Sequence, residues 1–177
     1  MRKLSVIVFA VAVLAASALA ADDARVLIDR ARETAAKENK AVLVSFHASW
    51  CGWCKRLDRV LALEDVKPLI DKAYVRVRLT VMESDPKFTA DMNPNGMDVM
   101  KELGGENQGI PYFAALDKNG KVLMNSKRPI EGKPATNVGC PATPEEIAYF
   151  MTFLEKTAPS ITKGERDLIA KRLAEAK

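Results

Sequence analysis

Apolar positions along the chain alternate between helical and extended spacing. After Asp23, the positions Val26, Leu27, Arg30, Ala31, Thr34 and Ala35 follow a helical repeat and predict a helix to Asn39. "AVLVSF" (Ala41 to Phe46) is apolar, β-branched and too short for a helix, which predicts a buried strand. Helical spacing returns from Cys51 to Leu63, with Leu57, Val60 and Leu61 on one face. "EDVKPLIDKA" predicts a second short helix, because Pro68 is tolerated in a first turn. "YVRVRLTV" (Tyr74 to Val81) alternates and then turns apolar, as a strand does.

The pattern lapses between Glu83 and Gly109, a polar stretch holding Pro86 and Pro94. It reads as a long excursion with one helix near Met97 to Leu103. "PYFAALDKNGKVLMN" predicts a β-hairpin around Asp117-Lys118-Asn119-Gly120. Lys127 to Gly139 reads as a loop. Thr143-Pro144-Glu145-Glu146 is a helix start, with Thr as N-cap, Pro first and Glu three residues on. The helix it opens should bury Ile147, Phe150, Met151 and Leu154. A last amphipathic helix, Glu165 to Ala176, carries Leu168, Ile169 and Leu173. This order predicts an α/β fold: a mixed central sheet flanked by helices on both faces.

The first residues change the picture of where the chain works. Arg2 and Lys3, an apolar run from Leu4 to Ala16 and the small-x-small pattern Ala18-Leu19-Ala20 read as a cleaved export signal over 1–20. The chain is then periplasmic or secreted. A single domain is expected over 21–177, 157 residues, with its core at about 41–158. The net charge of +4 falls to +2 when Arg2 and Lys3 leave, and the charges are mixed, so nucleic acid is not an expected partner.

Export exposes cysteines to oxidising surroundings. A disulfide scaffold would spread many cysteines along the chain. Here Cys51 and Cys54 have two residues between them and only Cys140 stands elsewhere, which favours redox chemistry over stapling.

"VLVSFHASWCGWCK" and "GIPYFAALDKNGKV" together resemble the two signature segments of the thioredoxin-like family: an apolar strand leading into W-C-x-x-C-K, and a G-I-P loop followed by a hairpin. The likeness covers about Val42 to Leu154 and is greatest to exported bacterial members. It implies a thioredoxin-like fold with an insertion before the cis-proline loop and an extra C-terminal helix. It implies a thiol:disulfide oxidoreductase that reduces or isomerises disulfides of exported proteins. No cofactor is implied beyond the redox-active Cys51–Cys54 pair, and electrons would come from a membrane or soluble thiol donor.

The physics fits that reading. A thiol of pKa near 8.5 is only about 3% thiolate at pH 7. Cys51 stands where strand becomes helix, so unpaired N–H groups and the helix dipole favour its thiolate, with a pKa within about a unit of 7. Cys54, one turn on, is the resolving and more buried thiol. Trp50, Gly52 and Trp53 are expected around the sulfur. Ile110 and Pro111 are expected to present a backbone edge to an incoming chain, and Tyr112 to narrow the choice of substrate.

Two positions depart from the family pattern. Ser45 stands where a buried Asp usually takes the proton of the resolving cysteine. His47, with Lys55 a possible modulator, is either a nearby proton acceptor or cation or a half-buried filler. Cys140 is expected to be a packed residue. Two rival readings remain open: a zinc site of Cys51, Cys54, Cys140 and His47, and a non-catalytic module that binds exported proteins or a membrane redox partner through 82–108.

Overall fold

A computed structural model describes residues 21–176; the export signal expected over 1–20 lies outside the described residues. Helix α1 (Ala24–Glu38) starts where the Asp23 carboxylate accepts from the Arg25 N–H, and stops at left-handed Asn39. Its buried stripe is Ala24, Ile28, Ala31 and Ala35, while Val26 is exposed. The stripe is thus rotated from the expected one, keeping Ala31 and Ala35 and adding Ala24 and Ile28.

Strand β1 (Ala41–His47) leads into α2 (Gly52–Leu61) and α3 (Lys67–Ala73), and β2 (Tyr74–Thr80) returns parallel to β1. Strand β3 (Tyr112–Leu116) lies antiparallel on the other side of β1, with Val42 opposite Leu116. Strand β4 (Val122–Asn125) folds back antiparallel to β3. The sheet order is β2-β1-β3-β4.

Successive strand residues point to opposite faces, and here both faces are covered. Ala41, Leu43, Phe113 and Ala115 pack under α2, α3 and two C-terminal helices, α5 (Pro144–Thr157) and α6 (Lys163–Glu175). Val42, Val44, Phe46, Tyr112, Ala114 and Leu116 pack under α1 and the short α4 (Gly96–Met100). Phe113 meets Phe150 and Phe153 edge-on at 5.5 and 5.1 Å, an arrangement favoured by the ring quadrupoles. Phe153, absent from the expected stripe of α5, is fully buried, whereas Ile147 and Met151 are only partly so. Capping boxes at Thr143 and Thr162 start α5 and α6.

The segment expected to be a loop contains a second, two-stranded sheet: β5 (Lys127–Ile130) antiparallel to β6 (Lys133–Asn137). Pro129 and Pro134 hid it, since proline suits only strand edges and this hairpin has no neighbouring strand to feed.

The excursion after β2 is ordered by specific contacts. Pro86–Asp91 forms an exposed 3₁₀ turn. Helix α4 runs on into a π-type turn over Lys101–Gly105 and buries Val99, Met100 and Leu103. A Cβ on Gly105 would stand 2.9 Å from the Tyr112 ring, so only glycine fits there. No helix among the described residues is long and apolar enough to cross a membrane.

Candidate active site

Cys51 is the N-cap of α2, with extended backbone at φ −76° and ψ 101°. Its Sγ accepts the Cys54 backbone N–H at 3.1 Å, so one of the orphan donors of the helix start points at sulfur. The positive end of α2 adds to that field. Cys51 and Cys54 are joined as a disulfide, Sγ to Sγ 2.14 Å. Each is 3% exposed, so the expected difference in burial between them is not present in this oxidised state. With Ala48 and the half-buried Ile110 they form a small apolar cluster. Cys51 Sγ lies 3.7 Å from the Ile110 carbonyl oxygen, and the Ile110–Pro111 peptide is cis.

The aromatic surroundings are on the surface. Trp50 and Trp53 are each 54% exposed. Trp50 donates its indole N–H to the Met82 carbonyl at 2.7 Å, and the Arg56 guanidinium sits 5.0 Å over the Trp53 ring. Gly52 is exposed, and a Cβ there would meet nothing. Lys55 is exposed on the next turn.

Tyr112 does not belong to this surface. It is fully buried on the α1 side of the sheet and donates its hydroxyl proton to the Leu103 carbonyl at 2.8 Å. Strand alternation explains the correction: with both faces of β3 covered, the residue after Pro111 has no solvent side to occupy.

His47 is half-buried at the end of β1. Its Nδ1 lies 3.3 Å from Arg78 Nη2 and its Nε2 lies 3.4 Å from the Thr80 hydroxyl. Burial, and then the Arg78 charge, push its pKa below the ordinary 6.5. Both effects disfavour the cation considered from the sequence.

Ser45 donates its hydroxyl proton to the Val77 carbonyl at 3.3 Å. It shares a cavity of about 20 Å³, room for about one water, with Leu57, Asp58, Arg76 and Phe113. Asp58 follows Cys54 by one helical turn and pairs with Arg78 at 2.7 Å. The i, i+4 spacing from Cys54 was the sequence signal for this carboxylate, and it passed unnoticed.

Glu83 was also missed. Its carboxylate accepts the Ser49 N–H, at 2.5 Å, and the Ser49 hydroxyl, at 2.7 Å, so the excursion grips the loop that precedes Cys51. No local pattern announces that contact, which spans the sheet end.

Cys140 is a free thiol, 5% exposed, in the core cluster of α2, α3, α5 and α6. Burial pushes its pKa up to about 11. A groove of about 570 Å³ runs from Trp53 past Ile110 and Pro111 to Asn137, Cys140 and Glu146. A larger hollow of about 710 Å³ between α2 and α6 is lined by Arg56, Arg59, Asp65 and Arg172 and holds no cysteine. Among the described residues no three His, Cys, Asp or Glu side chains are arranged to hold a metal ion, and Cys140 is not among the residues of the dithiol cluster.

A family model described as thioredoxin-like matches residues 23–118. A protein disulfide-isomerase of Zea mays is 32% identical over 98 residues, which is 55% of this chain and 16% of that protein. The chain thus spans a small part of that relative's length. A disulphide isomerase from Xylella fastidiosa Temecula1 is similar at 22% identity and a TM-score of 0.49, over 84% of this chain and 90% of the other. The oxidised C-terminal domain of DsbD from Neisseria meningitidis is similar at 19% identity and a TM-score of 0.45, over 78% and 99%.

Proposed function

The chain belongs to the thioredoxin-like family, and from that premise we propose that it is an exported thiol:disulfide oxidoreductase that reduces or isomerises disulfides of other exported proteins. The observation that carries the reading is the placement of Cys51 Sγ. It receives an N–H at the start of α2 and lies beside the backbone of Ile110, a residue that also lines an open groove.

The steps use only thiols. The Cys51 thiolate attacks one sulfur of a substrate disulfide; that S–S bond breaks, a mixed disulfide forms, and the other substrate sulfur leaves as thiolate and takes a proton. Cys54, having lost its proton, attacks Cys51 Sγ. The intramolecular disulfide forms, the second substrate thiolate leaves, and two electrons have passed to the substrate. Ser45 has no basic group for the Cys54 proton. The Asp58 carboxylate, one helical turn on from Cys54 along α2, is the acceptor we assign.

A reductase or isomerase role suits the surroundings better than a strong oxidant role. Gly52 and Trp53 bring no charge to the sulfur, and the cation of His47 is disfavoured. We expect a potential near about −200 to −270 mV rather than the about −120 mV of a strong oxidant. A thiol donor, membrane-bound or soluble, would restore the dithiol.

Purified chain beginning at Ala21 should catalyse insulin reduction by dithiothreitol; a chain that binds insulin without turnover would be a binding module instead. A glutathione titration giving a potential above about −150 mV would make it an oxidase. Export is tested separately: the full chain should be recovered outside the cytoplasm with Ala21 as its first residue.

A further inference from the structure

Asn137 closes β6, in the segment that reads from sequence as a loop, and its side chain reaches back across the chain to the Ile110–Pro111 turn. The Nδ2 group donates to the Gly109 carbonyl at 2.8 Å and to the Pro111 carbonyl at 2.9 Å. The same side chain accepts the Gly139 N–H on Oδ1 at 3.0 Å, and the Asn137 backbone N–H donates to Gln108 Oε1 at 3.2 Å. Both protons of one amide are thus spent on the two carbonyls that bracket Ile110.

The three carbonyls of this cis-proline turn are divided between two partners. Those of Gly109 and Pro111 point to Asn137, and that of Ile110 points the other way, to 3.7 Å from Cys51 Sγ. Asn137 therefore occupies one edge of this short backbone stretch and holds the other edge open beside the sulfur. Among the described residues no backbone group bonds the Ile110 N–H. An incoming extended chain can pair with that edge, as strands add to a free edge elsewhere. A small disulfide with no peptide backbone cannot.

Resting on the function proposed above, we propose that Asn137 is a positioning residue for polypeptide disulfides: it fixes the Ile110 edge against which an extended substrate pairs, and so sets the preference of Cys51 for peptide over small-molecule disulfides. It touches neither reacting sulfur. The β5–β6 hairpin then has a purpose, to carry this amide to the site.

The test is a single-turnover comparison of reduced chains, each mixed with insulin and, separately, with hydroxyethyl disulfide. Asn137→Ala removes the clamp. Asn137→Asp keeps the acceptor for Gly139 and the size of the side chain, but turns an oxygen on the two carbonyls. Each variant should lose about ten-fold in rate with insulin, the scale of one or two hydrogen bonds. With hydroxyethyl disulfide the rate of the folded variants should change less than about two-fold. An equal fall with both disulfides, or no fall with insulin, overturns the proposal. Stoichiometric reaction needs no catalytic cycle, so a rate ratio that shifts in a chain without turnover would keep the clamp and refute the function. Turnover with an unshifted ratio would do the reverse. Should both variants fail to fold, the Cys54→Ser chain carrying a peptide disulfide-linked to Cys51 decides. The Ile110 amide must then become protected from hydrogen exchange, and its continued exchange overturns the proposal.

Discussion

Cys51 and Cys140 are 3% and 5% exposed, nearly the same, yet their surroundings differ in kind. Around Cys51 the fold supplies a backbone N–H at 3.1 Å and the positive end of α2. Around Cys140 it supplies mainly apolar packing, and the thiol is held neutral with a pKa of about 11. Loss of water alone raises a thiol's pKa; loss of water with an aimed dipole need not. Burial therefore says little about thiol reactivity until the direction of the nearest dipoles is known.

The largest way to break this contrast is by substitution. Cys51→Ser should abolish insulin reduction, Cys54→Ser should accumulate mixed disulfides through Cys51, and Cys140→Ala should keep most of the activity. A ten-fold loss in Cys140→Ala, about 1.4 kcal/mol on the barrier, with the melting temperature retained would give Cys140 a part in the chemistry. Next comes labelling of the reduced chain with iodoacetamide at pH 7. Cys51 should react faster than Cys140 by more than about a hundred-fold, and Cys140 should label only as pH approaches 11 or the chain unfolds. Comparable rates would erase the contrast.

The contrast also has a stability form. In the oxidised chain Cys140 is the one free thiol of the described residues. Its folded pKa, about 11, stands above the ordinary 9.0, so the unfolded chain loses this proton first as pH rises. The stabilisation is complete below about pH 9 and fades as pH passes through about 11. Thermal melts across that range should fall more steeply for the oxidised wild type than for Cys140→Ala. The smallest effect is at His47, whose folded pKa is depressed. Its stabilisation holds above pH 6.5 and is lost as pH falls below it. His47→Gln should flatten that fall and move the potential by less than about 30 mV, the equivalent of one pKa unit for two electrons.

What the sequence made legible was what neighbouring residues specify among themselves. "AVLVSF" became β1, "ALDKNGKV" became a hairpin turn, and the Thr143 box became a helix start, since each depends on a few adjacent positions. The Cys51–Cys54 pair at a helix start is the same kind of signal. What stayed hidden depends on pairing across long separations. Tyr112, expected to narrow the choice of substrate, is buried instead, and a turn nine residues earlier accepts its hydroxyl proton. Asn137 reaches Gly109 and Pro111 across 28 and 26 residues, and Glu83 reaches Ser49 across 34. An isolated Asn or Glu in a polar stretch carries no mark of such a reach.

The excursion grips the site at both ends. Met82 and Glu83 hold Trp50 and Ser49, and Leu103 and Gln108 hold Tyr112 and Asn137, while the stretch between, Pro86–Asp91, stands exposed. For anyone attaching a fluorophore, an epitope or a fused domain, this divides the insertion into anchor points and a free arch. Cargo spliced into 86–91 should leave turnover intact, because among the described residues no hydrogen bond or ion pair ties the arch to either loop of the site. The same cargo at 82–83 or 103–108 would loosen the sulfur's frame from a distance, and its harm would first look like a catalytic defect rather than a folding one.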